Sequence, residues 1–312
     1  MYKVFATHQA ARLEFGSFRF VYDQPGEVFG QKGRDARYKK SNSDSAPITA
    51  MERFFDLFED RQLAHDIFTI VEDTRIDTIV KREYAGIRSA MGSLQEDAAN
   101  QRKAIEDMPA RKAMVENLLR ASLDEFSHVH WPAHLDGLMQ EPLRILGRIR
   151  RERATVEDSA EAALLLYDWI SRGPNVVLED SDWAEVNGTE ATGEDEGEFL
   201  PSPAGSDGQE ALMPTLPSVG EQLYESPDPV DFRGDFKPEL VQLLLELRAQ
   251  DMEGDVPPVP LTKEQLKELL EKNVEVNINE LNDGQLDESS GIFLDNLMQE
   301  IQDAQQRANQ SG

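Results

Sequence analysis

At 312 residues the chain is long enough for one large or two modest domains, and a hydrophobic fraction of 39% supplies a core for only part of it. A formal charge of −28 sets the bulk of the chain against nucleic-acid phosphates and anionic membrane surfaces, and fits a basic protein partner better. The absence of cysteine removes disulfides, thiolate zinc sites and cysteine nucleophiles.

No basic-then-apolar leader and no apolar run of the ~18–20 residues that span a bilayer is present, so the expected location is cytoplasmic, without membrane insertion. Residues 1–50 carry eight Lys/Arg against five Asp/Glu, a local net of +3 that leaves −31 for the rest. Within them LEFGSFRFVYD alternates, with Leu13, Phe15, Phe18 and Phe20 among polar residues, and the basic GQKGRDARYKKSNSDSAP follows. The pattern predicts an extended or hairpin basic arm over residues 1–48.

Residues 49–175 read as a helical bundle. Thr49 and Glu52 form a capping-box pattern ahead of Phe54, Phe55, Leu57 and Phe58. Asp60 caps the next helix, which is expected to run through about Met91. Pro109 interrupts the following segment, after which Met114, Val115, Leu118, Leu119, Ser122 and Phe126 recur at spacings of three and four. Pro132 and Pro142 are expected to break the chain again before PLRILGRI. Thr155 and Asp158 open ATVEDSAEAALLLYDWISR, where Val156, Ala160, Ala163, Tyr167 and Ile170 share one face and Leu165, Leu166 and Trp169 lie elsewhere. A helix apolar on most of its circumference is buried inside a bundle.

Residues 178–199 contain nine Asp/Glu and no Lys or Arg, and Pro201, Pro203, Pro214, Pro217, Pro227 and Pro229 follow. Such a composition does not offset the entropy of ordering, so residues 176–235 are expected to form an acidic, Pro-rich disordered linker. Residues 236–312 hold short docking helices, partly disordered. PELVQLLLELRAQ begins at Pro238, TKEQLKELLEKN at Thr262, and GIFLDNLMQEIQDAQQRAN is a last amphipathic helix, with the strand-like NVEVNI between them. The expected fold class is therefore mainly α, a helical bundle with a long acidic linker and short C-terminal helices.

Two clusters invite a chemical reading. HVHWPAH brings His128, His130 and His134 together, and His130 and His134 have the i, i+4 spacing of a zinc protease helix. Trp131 stands where the general-base Glu belongs and Pro132 disfavours a regular helix, so a loop or helix-end histidine cluster is the expected reading. A metal-dependent hydrolase built on these three histidines remains the alternative. The second cluster is HDIFTIVEDTRIDTI at residues 65–79. At ~100° per residue, Leu63, Ala64, Ile67, Ile70 and Val71 share one side, while Ile76, Val80, Tyr84, Ile87 and Met91 share roughly the opposite one. The helix is thus kinked or sandwiched at Glu72–Arg75. Arg75 points to the first apolar side and needs a partner, for which Glu72 one turn back is nearest. Asp73 and Asp77 repel each other unless Lys81 or a cation from another helix relieves them. The expected outcome is an ion network that fixes a helix crossover.

The words FFDLFEDRQLAHDIFTIVEDTRIDTIVKREYAGI resemble the helical N-terminal region of a bacterial family of von Willebrand factor A proteins, similar to the nitric oxide reductase activation protein and to a cobaltochelatase subunit. Ile67-Phe68, Ile70-Val71, Glu72-Asp73, Arg75-Ile76-Asp77 and Tyr84-Ala85-Gly86-Ile87 fill its helix pattern, ATVEDSAEAALLLYDWI looks like a second family segment, and the resemblance covers about residues 50–173. It implies a non-enzymatic adaptor or co-chaperone that works with a MoxR-type AAA+ ATPase on the maturation or metal insertion of a client protein. It also implies an A domain with a DxSxS loop, which these 312 residues lack, so that domain is expected in trans or from the rest of a split product. Glu72, Asp73, Arg75, Asp77, Tyr84, Glu157 and Asp158 are the residues expected to hold structure or face a partner. No catalytic, cofactor or metal residue is assigned.

Overall fold

The computed structural model describes residues 1–38, 49–124, 128–132, 136–173, 175–177, 183–185, 222–243 and 245, and within them the protein is mainly α. The chain divides into two units, Met1–Ser45 with Arg53–Gly234, and Ala46–Glu52 with Asp235–Gly312.

The first unit begins with a helix where an extended arm is expected. In α1 (Tyr2–Glu14) the buried residues Val4, His8, Ala11 and Arg12 share one face. The helix stops where Gly16 takes φ of 77° and the Ser17 N–H reaches back to the Arg12 carbonyl at 2.9 Å. That left-handed ending suits glycine, which has no Cβ to clash. The alternation downstream survives only as burial: Phe18, Phe20 and Tyr22 are buried and Arg19 and Val21 exposed, with no partner strand among the described residues. α2 (Lys32–Tyr38) follows from the basic stretch.

α3 (Ala50–Phe55) carries the chain from the second unit into the first. The Asp60 carboxylate then accepts the Leu63 N–H at 3.0 Å and starts α4 (Arg61–Glu83), as expected. α4 runs unbroken across Glu72–Arg75 and is buried on every side from Ile70 to Asp77, packed by α1, α6 (Ala110–Asp124) and α8 (Val156–Ser171). The switch of apolar face is therefore a sandwich rather than a kink. The helix ends eight residues before Met91: Tyr84 leaves the helical region at φ −111°, ψ 69°. The Arg88 guanidinium takes the orphaned Lys81 carbonyl at 2.8 Å, and a 3-10 turn (Ala85–Ile87) leads into α5 (Arg88–Asn100).

α6 starts one residue after Pro109, and Met114, Val115, Leu118, Leu119 and Ser122 are all buried on it. Phe126 lies outside the described residues. α7 (Asp136–Ile149) contains Pro142, which does not break it. A proline there leaves the Leu138 carbonyl without its helical donor, and the Trp169 indole N–H fills the place at 2.9 Å. In α8 every residue from Val156 to Leu164 is buried, with Leu166, Tyr167 and Ile170.

The expected linker, residues 176–235, is structured at both ends. β1 (His130–Pro132) pairs antiparallel with β2 (Trp183–Glu185), in the register His130 to Glu185 and Pro132 to Trp183. Residues 222–234 lie along the first unit with Val230, Phe232 and Arg233 buried. Composition misled there because anchoring needs only a few residues, and Pro227 and Pro229 already restrict the unfolded chain. Residues 186–221 lie outside the described part.

In the second unit the Thr49 hydroxyl accepts the Glu52 N–H at 3.0 Å, and the Met51 N–H donates to Gln242 Oε1 at 2.9 Å. Residues 238–243 are helical from Pro238 onward, with Leu240 and Leu243 buried. The islands from Thr262 onward, NVEVNI and the last amphipathic helix lie outside the described residues. No helix among the described residues is long and apolar enough to cross a membrane.

Candidate functional site

The stretch VEDTRID of α4 is the centre of a buried ion network in the first unit. Glu72 is fully buried and its carboxylate accepts from Arg75 Nε at 2.9 Å and Nη2 at 2.5 Å, from the Ser17 hydroxyl at 2.5 Å and from the Ser159 hydroxyl at 2.7 Å. Burial pushes Glu72 up, but Arg75 and the two hydroxyls more than reverse it and leave it below its ordinary range. Burial likewise pulls the Arg75 guanidinium down, and Glu72 more than restores it. Its Nη2 also donates to the Phe15 carbonyl at 3.0 Å, which ties the end of α1 to α4. The expected Glu72–Arg75 pair is therefore formed, one turn apart.

Asp73 and Asp77 are relieved from other elements. Arg12 of α1 donates to Asp73 Oδ1 at 2.6 Å. Asp77 Oδ2 accepts from Arg233 Nη2 at 2.6 Å and Nε at 3.2 Å, and from Gln95 Nε2 of α5 at 3.0 Å. Arg233 also donates from Nη1 to the Ser122 hydroxyl at 2.9 Å. Burial pushes Asp77 up, and Arg233 with His8 overcomes this and holds it well below the carboxylate range. His8 Nε2 lies 3.0 Å from Asp77 Oδ1 and 3.9 Å from Asp73 Oδ1, yet among the described residues neither His8 nitrogen has an aligned hydrogen-bond partner. The Tyr84 hydroxyl donates to Glu14, and its ring packs at 6.2 Å from Phe15.

The second segment, VEDSAE at the start of α8, organises the N-terminal loop with its carboxylates. Glu157 accepts the Val21 N–H at 3.2 Å. Asp158 accepts the N–H groups of Glu27, Val28 and Phe29 at 3.0, 2.7 and 2.8 Å, while closing the expected capping box on the Thr155 N–H at 2.9 Å. A Cβ on Gly26 would come within 2.2 Å of Asp158 Oδ1. Glu161 accepts the Gly33 and Arg34 N–H groups at 3.0 and 3.1 Å, capping α2, and pairs with the buried Arg34 Nε at 2.9 Å. Burial raises Glu161 even so.

The structure thus places all seven expected residues in structural contacts, in two groups that meet where Ser159 reaches Glu72. Sequence reasoning missed His8, Arg12, Ser17, Arg34, Ser159, Glu161 and Arg233. One signal was there to read: Val71-Glu72-Asp73-Thr74 and Val156-Glu157-Asp158-Ser159 share a V-E-D-hydroxyl word, and the two words face each other across the α4–α8 contact.

The chemistry available here is restricted. The Ser17 and Ser159 hydroxyls serve Glu72 and the Ser122 hydroxyl serves Arg233, so none is paired with the fully buried His8 as a base. His128 stands in a turn and His130 in β1, where its N–H donates to Asn117 Oδ1 at 3.1 Å. His130 is thus in a strand rather than a helix, and His134 lies outside the described residues. Among the described residues no group of three His, Cys, Asp or Glu is placed to hold a metal ion. Searches against protein-family models, curated proteins and solved structures find no match to this chain.

Proposed function

We propose that the chain is a non-enzymatic adaptor, the helical part of a system in which a MoxR-type AAA+ ATPase and a von Willebrand factor A module assist the maturation or metal insertion of a client protein. The observation that carries this reading is the closure of the VEDTRID network. Glu72, Asp73, Arg75 and Asp77 are each engaged by a counter-charge inside the fold, as suits residues that fix a scaffold. An active site needs a titratable group that substrate can reach. The residues that carry the family resemblance serve instead to lock α1, α4, α8 and residue 233 into one register, and a rigid surface is what an adaptor presents.

Affinity capture of the full-length chain from its host, with ATP present and at low salt, tests the proposal. A MoxR-type ATPase is expected among the specific partners. Its repeated absence under these conditions would refute the adaptor reading.

A further inference from the structure

Along α4 the acids Glu72, Asp73, Asp77 and Glu83 each have an arginine partner, respectively Arg75, Arg12, Arg233 and Arg82. Asp66 differs: it is half-buried, and among the described residues no Lys or Arg pairs with it. Its Oδ2 instead accepts the Tyr224 hydroxyl at 2.8 Å and the Ser226 hydroxyl at 2.6 Å, from residues 158 and 160 positions further along the chain. Both donors are neutral.

The hydrogens of this junction follow from its partners. Gln62 Nε2 donates to the Ser226 oxygen at 2.8 Å, which leaves the Ser226 hydrogen for Asp66. Burial and the neighbouring carboxylate push the Tyr224 phenol well up, so it too keeps its hydrogen for Asp66. Since both hydroxyls serve Oδ2, Oδ1 is the oxygen that takes a proton, and neither bond is broken when it does. The charged groups around the junction are few. His65 stands beside Asp66 and Asp60 caps the helix, Glu225 takes Lys112 of α6 at 3.2 Å, and Glu116 of α6 is held by Arg102 and Arg120. Burial raises Asp66 above the ordinary 3.8, and the Ser226 hydroxyl, His65 and the Tyr224 hydroxyl do not reverse it.

We propose that Asp66 is a proton-binding site, and that its junction with Tyr224 and Ser226 is a pH-sensitive clasp between α4 and residues 222–226. The step is the transfer of one proton from solvent to Oδ1, with no other bond made or broken. The clasp is at full strength below the ordinary 3.8 and weakens as pH rises through the folded value. Eleven residues further along α4, Asp77 responds in the opposite sense, because its pair with Arg233 needs the ionised form. Acid therefore strengthens the Ser226 end of residues 222–234 while it weakens the Arg233 end. The proposal goes beyond the adaptor reading and stands without it.

The test follows the Asp66 side-chain carboxyl by carbon-13 NMR in the full-length wild-type chain, correlated with its own backbone amide, from about pH 4 to about pH 9. The signal is expected to pass from the protonated to the ionised position inside this range, and one position kept throughout overturns the proposal. Urea titrations of wild type and Asp66→Asn, which keeps an acceptor for the two hydroxyls but cannot take the proton, give the second readout. The wild-type folding constant relative to that of the variant is expected to fall as pH rises above 3.8, by up to about tenfold per pH unit. A ratio independent of pH overturns the proposal. Should Asp66→Asn fail to fold, the wild-type carboxyl titration decides alone.

Discussion

Removing the Arg75 side chain leaves the Glu72 carboxylate buried with only two hydroxyls for partners. Arg75→Ala deletes two donors at 2.9 and 2.5 Å from Glu72 and one at 3.0 Å from the Phe15 carbonyl. Breaking a buried pair from one side costs about 3–5 kcal/mol, and because Ser17 and Ser159 remain, the lower part of that range is expected. Replacing both partners, Glu72→Leu with Arg75→Leu, removes both charges and leaves the two serine hydroxyls without their acceptor, at about 1 kcal/mol each. The double variant should therefore be more stable than either single one, with a coupling of at least about 2 kcal/mol. In Arg75→Ala, burial is opposed only by the two serine hydroxyls, and Glu72 is expected to rise above the ordinary 4.5. Such a group favours the fold below that value and loses the advantage as pH rises, so the penalty is largest at neutral pH and shrinks toward about pH 5. Urea titration followed by tryptophan fluorescence reports on this unit, since Trp131 and Trp169 belong to it. Additive single costs, or an Arg75→Ala penalty independent of pH, would refute the reasoning.

Trp169→Phe should cost about 1–3 kcal/mol by orphaning the Leu138 carbonyl, and Pro142→Ala, which restores a helical N–H to that carbonyl, should reduce the cost; equal penalties in both backgrounds, by thermal denaturation, would contradict the assignment. Gly26→Ala is expected to destabilise by about 1–3 kcal/mol because the new Cβ meets the Asp158 carboxylate, and an unchanged Tm would show that this contact does not hold the loop. Asp77 has a depressed folded value, so its contribution is complete above the ordinary 3.8 and is lost as pH falls from there toward the folded value. The penalty of Asp77→Asn should accordingly be constant through neutral pH and diminish below about pH 4, and acid titration of both chains by circular dichroism checks this.

The parts of the fold legible in the sequence are those fixed by local rules. Asp60 and the Thr155–Asp158 box announce the starts of α4 and α8, and Glu72–Arg75 is a one-turn pair that helix geometry alone locates. What escaped reading depends on distant residues. The LEFGSFRF alternation suggested a hairpin, yet Phe18, Phe20 and Tyr22 alternate in burial without any strand to pair with. Pro142 looked like a breaker because nothing local reveals that Trp169 supplies the missing donor. Arg233 sits in a stretch whose composition argues for solvation, and its place is set by Asp77, 156 residues earlier. The candidate site is the extreme case. Its acids lie within one helical word, while His8, Arg12, Ser17 and Arg233, which surround them, come from the two ends of the unit.

The carboxylates of Glu157, Asp158 and Glu161 hold backbone that was made long before them. Their acceptors meet N–H groups of Val21 to Arg34 across separations of 127 to 136 residues. A ribosome adding about 5–20 residues per second takes roughly 6–25 s to cover that distance. During that interval α1 can form from local bonds, but the N–H groups of Val21 to Arg34 do not yet have the carboxylates that hold them. Residues 21–34 leave the ribosome well before α8 and are therefore among the last of this unit to reach their native shape. For this stretch the order of synthesis and the order of folding are opposed, and a chaperone that shields residues 15–38 until α8 emerges would speed maturation by covering Phe18, Phe20 and Tyr22 until the finished core buries them.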